Sequence, residues 1–477
     1  MNEREKKFFL RIGSNKEKQY IKKIGTLFSG LMVKANYFES AHGMLSGTFL
    51  KFNSLLPPVG YVIDPITYVF GRDPRYIKSW QKINKDKAED KLRSELRIEA
   101  NEELPSDWIR EIETPTKAQK NKVEIYNIKK AYQNLADAYF SNIDNNLLCM
   151  VGKRPLIGND FNANSINTFV KNVISYQEQA VTRHYDTTKY SDFRETVPKP
   201  SIVLSPYFLI ENQEDLNFML EIWRSFDTQY GEGNGAIVLQ CTTNFLEDNH
   251  NRLVDAISNI EKNIIFLWID GFYEENASST QLEAYVKFVS ETSSNGKNIA
   301  NLYAGGLSPL LFPFGLYGIV NNIGYGMQRD AEPVEGGIPT AQFYIPTLHI
   351  RQQVLASYDL FIRNELGNSN NDFYRDICSC PICKEGIKNG VRDFIPFYGQ
   401  MDYPKSKPEG PKKYPTSAAL KRCTFHFLFS RLREFKWALS ATKQEVITKI
   451  EQESNIWRSN KDHMERLKTI LEDITST

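Results

Sequence analysis

The chain has no apolar run of about twenty residues, so it offers no candidate membrane span. Its first residues, MNEREKKFF, lack the apolar core of a signal peptide. Cysteine is sparse, with 6 in 477 residues, which excludes a disulfide scaffold at this length. Charge of one sign is also missing. The formal net charge is +1, so the overall balance favours no polyanionic or polycationic partner. No internal repeat is visible. What remains is an ordinary soluble composition, long enough to bury a large core. Reduced cysteines without an export signal lead us to expect a cytoplasmic protein.

Three of the few cysteines fall within six residues, Cys378-Ser-Cys380-Pro-Ile-Cys383. Thiolates so crowded repel one another unless a cation neutralises them. Zn²⁺ with sulfur and imidazole ligands is the usual solution, and a closed four-ligand site is structural. His426, in the helical-looking Cys423-Thr-Phe-His426-Phe-Leu-Phe, is the candidate fourth ligand, with Cys423 as the alternative. Buried or redox cysteines without a metal are the competing explanation. Lys405, Lys407, Lys412, Lys413, Lys421 and Arg422 make a small basic zone nearby. It suits phosphate contacts, but equally an ordinary solvated loop.

Apolar runs alternate with amphipathic helical patterns. Candidate strands are Thr48–Phe52, Gly60–Ile63, Ser201–Leu204, Ala236–Gln240, Asn263–Ile269, Ile299–Ala304 and Tyr317–Val320; candidate helices include Gln213–Phe226, Asn251–Ile260 and Thr280–Thr292. The alternation predicts an α/β protein with a parallel sheet, and the length suits a (β/α)₈ TIM-like barrel over 1–375. Residues 75–145, with a Lys/Glu-rich stretch from Lys82 to Glu103, read as a helical insertion. Residues 376–440 would form a zinc-binding subdomain. Residues 441–477 read as one long C-terminal helix, suited to packing on the barrel or to homodimerisation.

Barrel chemistry sits at strand C-terminal ends. Asp64 ends an apolar strand before Pro65, where burial can tune a carboxylate for catalysis. An Asx-turn or cap explains it as well. Asp270 ends the apolar run Ile264–Ile269 in the same manner, before Gly271 and Phe272. Gly305-Gly306 follows Leu302-Tyr-Ala304, where backbone can approach a ligand. Gly324-Tyr325-Gly326 leads to Arg329. Tyr207, Phe272, Tyr273 and Tyr325 are aromatic platforms near these ends, although core packing accounts for any one of them.

Together these residues resemble the tRNA-guanine transglycosylase superfamily. The C-x-C-x-x-C motif with a downstream His matches its zinc subdomain at Cys378, Cys380, Cys383 and His426. Val62-Ile63-Asp64-Pro65-Ile66-Thr67 resembles its strand-plus-Asp motif, and Ile237-Val238-Leu239-Gln240 its I-V-Q-G strand. Ile269-Asp270-Gly271-Phe272 resembles its base-binding turn, and Leu302-Tyr-Ala-Gly-Gly306 its Y-L-M-G-V-G segment. The resemblance spans roughly Thr48 to Arg433. It implies a (β/α)₈ barrel with structural zinc, catalysis by Asp64, and substrate contacts from Tyr207, Gln240, Gly271, Phe272, Gly305, Gly306, Tyr325 and Arg329. Asp270 departs from it, standing where the family has Gly, and is expected to read the base or to assist catalysis as a substitute nucleophile.

The departures redirect the expected reaction. Ile323 stands where the family places its nucleophilic Asp, and Ser205-Pro206-Tyr207 holds no acid where the family's guanine-reading Asp lies. Exchange in tRNA is therefore not expected. The Asp-Pro form resembles the DNA-acting branch, which includes 7-deazaguanine DNA transglycosylases and phage-defence glycosylases. With Asp64 retained and the usual nucleophile absent, hydrolytic excision of a modified base flipped out of DNA is the simpler expectation. Deazaguanine exchange and a non-catalytic nucleic-acid-binding role are the alternatives.

Overall fold

The computed structural model describes residues 6–13, 17–53, 55, 58–72, 131–152, 154–183, 199–323, 340–403 and 413–476. Tyr325, Arg329 and most of the anticipated helical insertion lie outside them.

The chain is α/β. Among the described residues its strands are β1 Lys7–Ile12, β2 Gly30–Lys34, β3 Gly60–Asp64, β4 Val203–Leu204, β5 Leu209–Ile210, β6 Gly235–Thr242, β7 Ile264–Asp270, β8 Asn298–Asn301, β9 Leu316–Asn322, β10 Gln342–Ile345, β11 Ile350–Gln353, β12 Met401–Asp402 and β13 Tyr414–Pro415. Hydrogen-bonded neighbours follow the order β3-β2-β1-β9-β8-β7-β6-β4, with β5 beside β6. A parallel bridge joins Val62 to Ile202, so eight parallel strands make a nearly closed barrel. By compactness the chain divides into two units, one from the N-terminus to Leu31 plus most of the chain from Leu239 onward, the other from Met32 to Val238.

In the first unit β1 pairs with β9, β9 with β8 and β8 with β7, all parallel. The sequence of β7, IIFLWID, is buried from Ile265 to Ile269. Burial of both faces is what a β-branched and aromatic run without polar alternation requires. The flanking helices start on side-chain caps. Ser278 accepts from Gln281 N ahead of helix Ser279–Ser294, and Thr442 accepts from Glu445 N ahead of helix Lys443–Ile456. The C-terminal region is two helices, Lys443–Ile456 and Asp462–Ser476, rather than one. Between them the chain turns extended at Trp457, whose side chain is buried, and Asn460 takes φ 64°.

In the second unit β4 pairs in parallel with β6. Helix Ala163–Glu178 buries Phe169, Val170, Val173 and Tyr176, and its Gln177 reaches the backbone of Leu204. The Gln177 amide donates to Leu204 O at 2.7 Å and accepts from Leu204 N at 2.9 Å. Thr48–Phe52 is not a strand but the end of helix Ala35–Asn53. Leu45, Phe49 and Phe52 are buried there at i, i+4 and i+7, so helical periodicity prevailed over the β propensity of the short run.

Candidate functional site: a Cys3His centre and a buried strand-end aspartate

Cys378, Cys380, Cys383 and His426 are all buried, and their ligand atoms lie within 4.8 Å of one another. The local fold explains how. Cys380 is the N-cap of helix Pro381–Gly386, with proline at the first helical position. That turn aims Cys380 N at Cys378 Sγ and Cys383 N at Cys380 Sγ, each at 3.4 Å. His426 comes from the buried face of helix Ser417–Ser440. Its Nδ1 lies 3.3 Å from Cys380 Sγ and 3.4 Å from Cys383 Sγ. Nε2 is 2.6 Å from the carbonyl of Tyr344, to which it donates when Nδ1 faces the thiolates. Phe343 stacks on the imidazole with ring centroids 4.0 Å apart.

These four residues fit a metal ion. Three sulfurs and one nitrogen form a compact shell, and the outer nitrogen is oriented by a carbonyl, as metal-bound histidines generally require. Cys423 is not among them. It lies toward Tyr398 O, and burial pushes its thiol up to about 12, the pattern of an inert core cysteine.

Asp64 ends β3 and is fully buried. Its Oδ1 accepts from the Tyr207 hydroxyl at 2.7 Å and from Ile66 N at 3.0 Å. The second contact is the anticipated Asx-turn, and the first adds a donor from the segment after β4. Tyr207 is itself held, because Thr67 Oγ1 donates to its carbonyl and accepts from its amide. Tyr139 donates to Pro65 O at 3.1 Å; burial, then the Asp64 charge, holds its phenol well above the usual range. Ile66 takes φ 49°, a left-handed conformation costly for a β-branched residue. Strain of this kind persists only where the surroundings enforce it.

In the other unit, Gln240 on β6 is fully buried, and neither amide atom has a hydrogen-bond partner among the described residues. Leaving both unsatisfied costs free energy that a polar ligand would recover. Asp270 ends β7 half-buried, with its carbonyl accepting from Thr243 Oγ1 at 2.9 Å. It does not cap the following helix, which Ser278 does. Gly271 has φ 70°, a glycine conformation. Phe272 packs against Tyr285 at 5.2 Å. Gly305 and Gly306 are hemmed in by protein, since a Cβ would fall on the Glu274 carboxylate at the first and on the His349 carbonyl at the second.

The structure brings together the four metal-site residues, and it joins Asp64 to Tyr207. It also adds residues with no visible motif. Glu274 is buried in the segment after β7, accepting from Ser308 Oγ at 2.7 Å and from Leu307 N. Burial pushes its carboxyl up to about 7 against those two hydrogen bonds. The Glu274-Glu275 pair just past a strand end is the only trace it leaves in sequence. Arg431, fully buried in a helix, leaves none.

No protein-family model matches this chain, and no curated protein matches it.

Proposed function

We propose that the protein is a zinc-containing DNA glycosylase with a (β/α)₈ barrel, excising a modified base, with Asp64 as the catalytic carboxylate. The supporting observation is Asp64 itself, a fully buried acid at a strand C-terminal end, oriented by Tyr207 and followed by a strained Ile66. A fixed carboxylate in a low-dielectric setting stabilises an oxocarbenium-like sugar better than a solvated one does. In hydrolysis the C1′–N bond breaks and its electron pair leaves with the base. Water oxygen bonds to C1′, and the water proton passes to the carboxylate.

The buried Ile323 stands where the resembling enzymes carry their nucleophile, which favours water over a covalent sugar–enzyme adduct. Zinc is the ion proposed for the Cys3His shell, in a structural role, and thiolate ligation suits a reducing compartment such as the cytoplasm.

The test is incubation with DNA bearing modified or unmodified bases, followed by alkali. Strand breaks that disappear in Asp64→Asn support excision. Incorporation of labelled free deazaguanine without breaks means exchange instead. Binding without either makes the protein a non-catalytic nucleic-acid binder.

A further inference from the structure

We propose that the metal ion acts beyond its own ligands: through Arg431, its binding sets the conformation of the Gly305–Ser308 turn that follows β8. The argument begins on helix Ser417–Ser440, which carries both His426 and Arg431. Two contacts fix this helix at the metal centre. His426 presents Nδ1 to the thiolates, and Ser430 Oγ lies 3.5 Å from Cys378 Sγ. Ser430 immediately precedes Arg431, so the ion determines the rotation and height of the guanidinium on its helix.

The guanidinium is fully buried, and its bonds lead to the turn. Nη1 donates to Gly306 O and Nη2 to Gly305 O, both at 2.8 Å. Two adjacent carbonyls are thus held by one planar fork, a geometry lysine does not reproduce. Nη1 also donates to Glu434 Oε2 at 2.9 Å and to the Tyr344 hydroxyl at 3.1 Å. Nε lies 3.4 Å from Asn321 Oδ1.

A second path closes the circuit. His426 Nε2 bonds the Tyr344 carbonyl, and the Tyr344 hydroxyl donates to Glu434. When Nδ1 ligates the ion, the ring must carry its proton on Nε2. Ligation therefore selects the tautomer that fixes Tyr344, and Tyr344 helps to fix Arg431 and Glu434.

The turn is held from its other side by Glu274, which accepts from Leu307 N and Ser308 Oγ. Neither Gly305 nor Gly306 has room for a side chain. A turn clamped between a buried carboxylate and a buried guanidinium has no slack. Removing the guanidinium leaves two buried carbonyls without their donor, and the segment must relax toward water.

Amide hydrogen exchange, read by mass spectrometry on peptides covering 302–310 and 378–386, tests this without reference to any reaction. Three samples are compared: metal-loaded wild type, chelated wild type, and metal-loaded Arg431→Gln with its metal content measured. In the chelated protein both peptides should exchange at least about tenfold faster. In loaded Arg431→Gln only 302–310 should accelerate, while 378–386 stays protected and one ion per chain remains. Should Arg431→Gln fail to fold, Arg431→Lys serves the same comparison, with a smaller acceleration in 302–310. The inference is overturned if 302–310 stays as protected in the loaded variant as in wild type. It is equally overturned if chelation exposes 378–386 and leaves 302–310 unchanged.

Discussion

The Tyr207 hydroxyl donates to Asp64 Oδ1 at 2.7 Å, so an aromatic residue anticipated as a stacking platform also holds the carboxylate of Asp64. Asp64→Asn keeps the shape and loses the charge, so base excision should fall by about a hundredfold or more while the protein stays folded. Tyr207→Phe removes one hydrogen bond, worth about 1 kcal/mol, and should slow single-turnover cleavage by roughly five- to tenfold. Quantified alkali-labile breaks give both rates. Wild-type turnover in Asp64→Asn would move the chemistry elsewhere.

Metal content is the next expectation. Purified reduced protein should carry one zinc per chain by elemental analysis. Cys380→Ser deletes a ligand that is also the N-cap of helix Pro381–Gly386. Because binding free energy at such a site is folding free energy, this variant should lose the ion and several degrees of thermal stability. A zinc-free protein with undiminished stability would refute the assignment.

Glu274 gives stability a definite pH dependence. Its carboxyl is raised from 4.5 to about 7 by burial, so between those values the folded state holds a proton that the unfolded state has released. Stability from this group is therefore full below about 4.5 and is lost as pH rises through about 7. The shift corresponds to something on the order of 3 kcal/mol. Urea unfolding at pH 5 and pH 8 should show a smaller loss in Glu274→Gln than in wild type. Equal losses in the two proteins would mean that Glu274 does not titrate in this range.

Asp270 is separable by a pair of substitutions. With helix capping assigned to Ser278, no local structural duty of that kind rests on its carboxylate. If it reads the base, Asp270→Ala should reduce discrimination between modified and unmodified duplexes more than it reduces the rate on the better substrate. Asp270→Ser should behave alike. Unchanged rate and selectivity in both variants would remove it from the site.

The parallel strands from β6 to β9 were readable because fully buried strands are continuous apolar runs. The Cys3His cluster was readable because its spacing is local at three of four positions. β1 and β2 were missed: KFFLRI and GLMVK are short and flanked by lysines and glycine, with no alternation to mark them. Arg431 and Glu274 were illegible for a different reason. Their partners lie on distant segments, among them backbone carbonyls and an amide, and a backbone group has no sequence signature.

Gln177 has a consequence for the interior. A glutamine side chain ends in an amide of the same chemistry as a peptide bond, and here it occupies the place of a strand's backbone beside Leu204. Both residues are fully buried, so this one amide supplies the donor and the acceptor that water would otherwise give the Leu204 backbone. Its replacement by an apolar residue of equal size would preserve the packing and strand a buried N–H and a buried carbonyl, at a cost of about 1–3 kcal/mol for each group.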